Sequence, residues 1–284
     1  MSTPPRYAVI GNPVEHSRSP RIHALFGRQT GVALQYERLL APLDGFEAAV
    51  QAFAAAGGRG LNVTVPFKQQ AFELARDHLS ARAQLAGAVN TLSWRDQAWH
   101  GCNTDGVGLV GDLIRLGARL DGARVLLVGA GGAARGVLQP LAEAGCAHLR
   151  IVNRTPERAA ELAQNWQAAH TGLPTQISAG GLPDAAIAGG WNVVVNATAS
   201  SLQGASLALP AGLYAEGALA YDMLYAAQPT PFMTQAAQDG AAHCADGLGM
   251  LVGQAAESFF IWHGVRPDPV PVLDMLRAEL QAQR

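Results

Sequence analysis

The sequence predicts an α/β protein with largely parallel sheets. Two observations carry this: short apolar strand-like segments alternate with helix-period segments from end to end, and a glycine-rich turn joins one such strand to a helix. At 284 residues the chain holds one large or two modest domains, each with its own core.

Taken in order, Tyr7 to Gly11 reads as a first strand. A helix follows with Ser19 as N-cap and Pro20 at its first position, Ile22, Leu25 and Phe26 on one face, and Gly31 as its stop. Asp44 and Glu47 form a capping pair for a second helix carrying Phe46, Val50 and Phe53 and ending at Gly57-Gly58. Gly60 to Val65 is the next strand, and Pro66 opens another helix. Ala88 to Ser93 and Trp99 to Cys102 are strands joined by a turn around Arg95 and Asp96. Asp105 caps a helix through Val107, Val110, Leu113 and Ile114, ending near Gly117, and a domain junction falls at about this helix. Beyond it come a strand at Arg124 to Val128, a helix to about Ala144, a strand at Leu149 to Asn153, and a helix from Thr155-Pro156 to about Ala169. Further strands are Val193 to Asn196 and Leu219 to Met223. Thr230-Pro231 starts one more helix, and Gly247 to Arg284 supplies two, separated at His263-Gly264.

Composition narrows the function classes. Hydrophobic residues make up 49% and charged residues 15%, with a net charge of −2 and no block of like charges. A nucleic-acid binder would need a basic stripe, which is absent. No apolar run approaches membrane-span length, and the N-terminal residues lack a signal-peptide core. The three cysteines, Cys102, Cys146 and Cys244, have neither disulfide nor metal-ligand spacing, so a cytoplasmic location and no metal are expected.

The strongest motif is Gly129-Ala130-Gly131-Gly132-Ala133-Ala134, directly after an apolar strand and before a helix. It satisfies the dinucleotide-binding pattern in its required context: the first glycine permits the tight turn, the second lets a pyrophosphate approach the backbone, and the helix N-terminus offers N–H groups to that anion. The following strand ends at Asn153-Arg154-Thr155, where an NAD enzyme would usually place an acidic residue. Arg154, with Arg158 one turn later, suits the 2′-phosphate of NADP; the plain alternative is two solvated arginines.

Other polar residues stand at strand ends. Ser17 and Ser19 precede a helix N-terminus, an arrangement that binds carboxylates and also an ordinary capped helix. Lys68 lies in the first turn of a helix, where the macrodipole disfavours a cation by about 0.3–1 kcal/mol. Such a lysine suits acid–base work, or simply reaches water. Asp105, Asn90, Thr64 and Gln254 each have an equally ordinary structural reading.

Together these segments resemble the shikimate dehydrogenase family over nearly the whole chain. The matching stretches are Gly11-Asn12-Pro13 with His16 to Pro20, Asn62 to Lys68, Gly87 to Thr91, Asn103 to Gly106, Gly129 to Ala133, Asn153 to Thr155, Tyr221 to Met223 and Gly247 to Leu251. The resemblance implies NADP-dependent, reversible reduction of 3-dehydroshikimate to shikimate, in aromatic amino-acid biosynthesis. It implies an N-terminal α/β substrate domain completed by C-terminal helices, with a Rossmann-type NADP domain inserted: 1–105 and 247–284 for substrate, 106–246 for cofactor. Lys68 and Asp105 would be the catalytic pair. Ser17 and Ser19 would hold the carboxylate, and Thr64, Asn90, Tyr225 and Gln254 the ring. Gly129, Ala130, Gly131, Gly132, Ala133, Asn153, Arg154, Thr155 and Arg158 would hold NADP, with Met223 and Gly247 near the nicotinamide. The chain departs from the family pattern at Ala134 and Ala199, where serine is common, and at Ala81, where some relatives are acidic. A dehydrogenase accepting quinate or NAD and a non-catalytic sensor stay open as rivals, and so does a homodimer.

Overall fold

Strand β1 (Arg6–Gly11) forms because a short apolar run, Tyr7 to Ile10, is flanked by polar residues, and it becomes an inner strand of the first sheet. In this computed structural model, residues 4–169, 172, 174–200 and 204–282 are described. The chain divides into two units, Met1–Gly108 with Val252–Met275, and Leu109–Leu251 with Leu276–Arg284. Residues 276–282 therefore group with the second unit.

After β1 the first unit contains α1 (Ser19–Thr30), β2 (Gln35–Leu40), α2 (Phe46–Ala55), β3 (Gly58–Val63), α3 (Lys68–Leu74), α4 (Ala81–Ala86), β4 (Thr91–Arg95) and β5 (Ala98–Cys102). Its sheet has the order β2-β1-β3-β4-β5, with β1 parallel to β2 and β3 and the β4–β5 hairpin antiparallel. The sheet is thus mixed, where the sequence suggested parallel pairing. The hairpin turns at Asp96 and Gln97, both left-handed (φ 50° and 60°), one residue beyond the expected turn. One core cluster joins Ala8, Ile10, Leu61 and Val63 to Val50, Phe53 and a stacked Phe46–Phe67 pair 5.0 Å apart. Each such buried ring contributes about 1.5–3 kcal/mol. An aromatic group of Tyr7, His23, Phe26, Tyr36, Phe259 and Trp262 packs elsewhere in the same unit.

α5 (Asp105–Arg115) leads into the second unit: β6 (Arg124–Val128), α6 (Gly132–Glu143), β7 (His148–Asn153), α7 (Pro156–Ala169), β8 (Gln176–Gly181), β9 (Trp191–Asn196), β10 (Tyr214–Asp222), α8 (Pro231–Gln238) and β11 (His243–Asp246). α9 (Leu248–His263) and α10 (Pro269–Ala282) complete the chain. All pairings in this sheet are parallel, in the order β11-β10-β9-β6-β7-β8. Alternate residues face opposite cores: Val125, Leu127, Val193 and Val195 on one side, Leu126, Val128 and Val194 on the other. That is why these strands read as continuous apolar runs.

Three expected caps differ. Arg18, not Ser19, is the N-cap of α1; Ser19 is the first helical residue, its N–H donating to Ser17 Oγ at 3.3 Å. Gly45 caps α2, because a turn from Pro42 carries the chain past Asp44. Asp105 is the first residue of α5, and its carboxylate oxygens accept from Lys68 and Asn90 instead. The Gly31 stop, with φ 72°, and the Thr230 cap, accepting from Met233 N, are as the sequence indicates.

Candidate active site

Sheet direction gathers the polar residues of the first unit. β1 and β3 run parallel, so the segments carrying Ser17, Ser19, Thr64 and Lys68 leave at one edge. β4, antiparallel to β3, starts at that edge just after Asn90, and β5 ends there before Asn103, Thr104 and Asp105. Sequence neighbours of strand ends thereby become spatial neighbours.

Lys68 Nζ lies 2.6 Å from Asp105 Oδ2, the lysine side chain 32% exposed and the aspartate 11%. Asp105 Oδ1 accepts from Asn90 Nδ2 at 2.8 Å. The Asp105 backbone N–H donates to Asn103 Oδ1 at 3.0 Å, and Asn103 is tied to Ala88 O. The Asn90 amide nitrogen also meets Thr104 Oγ1 and Gln254 Oε1, while its oxygen accepts from Thr104 N and Thr91 Oγ1. The carboxylate is therefore held by Lys68 and Asn90 and its backbone by Asn103, which fixes the lysine beside it while leaving that ammonium partly open to solvent. Such a pair can deliver and recover a proton.

Ser17 Oγ and Ser19 Oγ stand 3.2 Å apart at the start of α1, whose N-terminus has no side-chain cap. Two hydroxyls beside a helix N-terminus suit a carboxylate. Behind them is a network that the sequence reading did not assign. Tyr36 hydrogen-bonds Ser19 and donates to Asn62 Oδ1 at 2.7 Å, and Asn62 also engages His23, Thr91 and Ser258. Asn62 sits inside one of the quoted stretches, at a strand position that ordinarily holds an apolar side chain; that was the available signal. Thr64 follows β3, close enough that a Cβ on Gly11 would fall 2.4 Å from its methyl group. Tyr225 belongs to the second unit, in the segment after β10.

In the second unit the chain reverses direction across the sheet between β6 and β9, the switch point where open α/β sheets bind ligands. Gly129 (φ 113°) makes the turn out of β6, and a Cβ there would approach Thr198 and Ala197, after β9, to 3.1–3.2 Å. Gly131 and Gly132 have open space where side chains would stand, and the N-terminus of α6 has no side-chain cap. Arg154, Thr155 and Arg158 are exposed at the end of β7, with Asn153 Nδ2 donating to Thr155 O. Uncapped N–H groups, an open glycine cradle and two exposed guanidiniums fit a dinucleotide carrying an extra phosphate. Met223 follows β10 and Gly247 follows β11; a Cβ on Gly247 would lie 2.1 Å from Met223 O, so the two segments touch backbone to backbone. Asp246 holds this corner, accepting from Leu248 N and Ala226 N and pairing with Arg277. Among the described residues, no group of three or more His, Cys, Asp or Glu side chains is placed to hold a metal ion, and no helix is long and apolar enough to cross a membrane.

Comparison with known proteins identifies the family. Family models match at residues 9–92 (shikimate dehydrogenase substrate binding domain), 113–202 (shikimate / quinate 5-dehydrogenase) and 247–277 (shikimate 5'-dehydrogenase C-terminal domain). The chain is 73% identical over 279 residues to shikimate dehydrogenase (NADP(+)) of Bordetella petrii, covering 98% of this chain and 97% of the relative. It is 52% identical to the protein of that name from Cupriavidus necator, covering 100% and 97%. Among solved structures it is similar to shikimate 5-dehydrogenase from Thermus thermophilus in complex with NADP(H) and shikimate, with 33% identity, a TM-score of 0.83, and coverage of 96% and 99%. An Ael1 enzyme from Pseudomonas putida matches at 44% identity and a TM-score of 0.89, covering 96% and 98%. On the identity of its relatives and the extent they cover, the chain belongs to the shikimate dehydrogenase family.

Proposed function

We propose that this chain catalyses the reversible NADP-dependent reduction of 3-dehydroshikimate to shikimate. The observation that carries it is the Lys68–Asp105 pair, 2.6 Å apart at the loop-bearing edge of the first sheet. Substrate binding is assigned to the first unit and cofactor binding to the second.

Lys68 gives its proton to the oxygen of the reacting carbonyl and takes it back in the reverse direction; its charge stabilises the developing alkoxide. Asp105 keeps the ammonium in place, with Asn90 fixing its carboxylate and Asn103 its backbone. Ser17 and Ser19 donate to the substrate carboxylate, while Thr64, Asn90 and Gln254 serve the ring hydroxyls. The glycine turn from Gly129 to Ala133 takes the pyrophosphate on backbone N–H groups. Arg154 and Arg158, with Asn153 and Thr155, take the adenosine end and its 2′-phosphate, and Met223 and Gly247 flank the nicotinamide. When bound, the nicotinamide supplies or accepts the hydride. The free thiols of Cys102, Cys146 and Cys244 support a cytoplasmic location.

The test is NADP and NAD reduction measured side by side with shikimate and quinate. The expected result is a kcat/KM for shikimate with NADP well above the other three combinations. Comparable turnover of quinate with NAD would replace this reading with a broader dehydrogenase. Binding of NADP and shikimate without turnover would replace it with a sensor.

A further inference from the structure

Away from the catalytic pair, the β4–β5 hairpin turns a polar face out of the core. Its residues alternate: Leu92, Trp94 and Trp99 join the core cluster of the first unit, so Ser93, Arg95 and His100 stand on the opposite side, with Ser93 directly across from His100. α9 covers part of that side, where Ser258 Oγ meets Thr91 Oγ1 at 2.8 Å. The segment from Arg76 to Ser80 follows the outer edge of β5, with Ser80 N donating to Gly101 O at 2.9 Å. Between α9, this segment and the hairpin lies a cavity of about 410 Å³, formed wholly within the first unit. None of the residues assigned to substrate or cofactor lines it.

Two arginines and two histidines line this cavity, and among the described residues no carboxylate does. The His78 and His100 rings stack with centroids 4.6 Å apart. Arg95 is anchored by one terminal nitrogen, which donates to Ile261 O at 3.0 Å, and Arg82 by one that donates to Glu257 Oε1 at 2.9 Å. A guanidinium has five N–H donors, so a single anchor fixes its place without exhausting it. Glu257 is shared: Arg266 holds its other oxygen at 2.7 Å, so this carboxylate does not cancel the Arg82 charge. Ser80 Oγ accepts from Ala83 N, which leaves its own proton to donate, and Ser93 adds a second hydroxyl. His100 Nε2 is buried with no hydrogen-bond partner among the described residues. The His100 pKa is lowered, first by partial burial and then by neighbouring His78 and Arg95, with Asp96 pulling the other way. An anion in the cavity would oppose that repulsion and let the imidazole take up a proton.

We propose that this cavity is a binding site for a small, multiply charged oxyanion, held by Arg82 and Arg95 with His78, His100 and the hydroxyls of Ser80 and Ser93 completing the contacts. Guanidinium groups recognise phosphate and carboxylate oxygens alike, so the shared chemistry is a dianion of either class.

The experiment is an NMR titration of the full chain, carrying ¹³C-labelled histidine, with sodium phosphate, sodium malonate and sodium chloride at constant ionic strength. The His78 and His100 signals are assigned from His78→Gln and His100→Gln, and the remaining histidines report on anions bound elsewhere. In wild type the two signals are expected to move together along a saturating curve with phosphate or malonate, and to drift only slightly with chloride. Arg95 is exposed near the hairpin tip, so Arg95→Gln should fold normally, which a thermal melt verifies. It should weaken the binding by about tenfold, the worth of one charge-assisted hydrogen bond at a solvent-open site. Saturation by phosphate alone identifies a phosphate ligand, by malonate alone a dicarboxylate, and by both a general oxyanion site; each result supports the proposal. Signals that drift linearly in all three salts overturn it, and so does a saturating curve that Arg95→Gln leaves unchanged.

Discussion

Asn90 and Asp105 are joined by a 2.8 Å hydrogen bond that occupies one carboxylate oxygen and leaves the other to Lys68 at 2.6 Å. The lysine thus meets a carboxylate that cannot rotate away. Lys68→Met keeps most of the side-chain volume and removes the proton and charge; kcat is expected to fall by about 10²–10⁴ while shikimate and NADP still bind. Asp105→Asn should slow turnover and alter the pH–rate profile. The double variant should lose less than the product of the single losses, since the two groups act as a unit. The measurement is kinetics across pH on all four proteins, with binding followed separately; near-normal kcat in folded Lys68→Met removes Lys68 as the proton carrier.

Arg154 is exposed at the end of β7 and shares no ion pair with any described residue. Arg154→Ala is expected to weaken NADP binding by about 1.5–3 kcal/mol, the range for charge-assisted hydrogen bonds, and to leave NAD nearly unchanged. Titration calorimetry with both nucleotides decides the matter: equal losses would move the 2′-phosphate elsewhere.

Gly247 has no room for a side chain, since a Cβ would stand 2.1 Å from Met223 O and 2.6 Å from its carbonyl carbon. Both are backbone atoms, so one segment must shift. Gly247→Ala should destabilise the protein by about 1–3 kcal/mol, the cost of overpacking. NADP affinity should also drop if this corner flanks the nicotinamide. Denaturant unfolding gives the first quantity and cofactor titration the second; unchanged stability would mean that the contact is softer than its geometry.

His23 sets a pH dependence whose sign follows from burial. Its folded pKa is lowered to about 3, against about 6.5 in an unfolded chain. A lowered pKa contributes stability that is fully present above about pH 6.5 and is lost as pH falls toward 3, because only the unfolded state takes up the proton. The slope from this one group is at most about 1.4 kcal/mol per pH unit. His23→Gln should cost some stability at pH 7.5 and flatten the decline between pH 6.5 and 4.5. Chemical denaturation at four or five pH values tests this; parallel curves for the two proteins would assign the acid limb to carboxylates alone.

The sequence carried most of the architecture; it missed the short helix α4, and the strands it missed share one physical trait. β2, β8 and β11 were not anticipated, and all three are edge strands. Edge strands need few buried residues: β2 has no fully buried position, β8 ends in Ala179-Gly180-Gly181, and β11 spans only four residues. Their pairing is imposed by the neighbouring strand, so apolar periodicity has nothing to report. The same logic divides the site. Lys68, Asp105 and the glycine turn stand at element boundaries, where residue type and position are legible together. Tyr36 and His23 lie inside elements, and their roles depend on a partner 26 or 39 residues away that no local pattern encodes. The misplaced caps at Ser19 and Asp105 belong here as well: tertiary partners claimed side chains that local rules had reserved for the backbone.

The β4–β5 hairpin acts as a caliper for the site. Its two open ends carry Asn90 and Asp105, while its closed tip at Asp96-Gln97 lies about 17 Å away, the length of five strand residues. Adding or deleting a single residue within either arm would offset the jaws and part the amide from the carboxylate, whereas extra residues spliced into the tip would leave the jaw spacing unaltered. Sequence length is therefore constrained along the arms and free at the tip, which makes 96–97 the natural insertion point for an epitope or a fluorophore in a working enzyme.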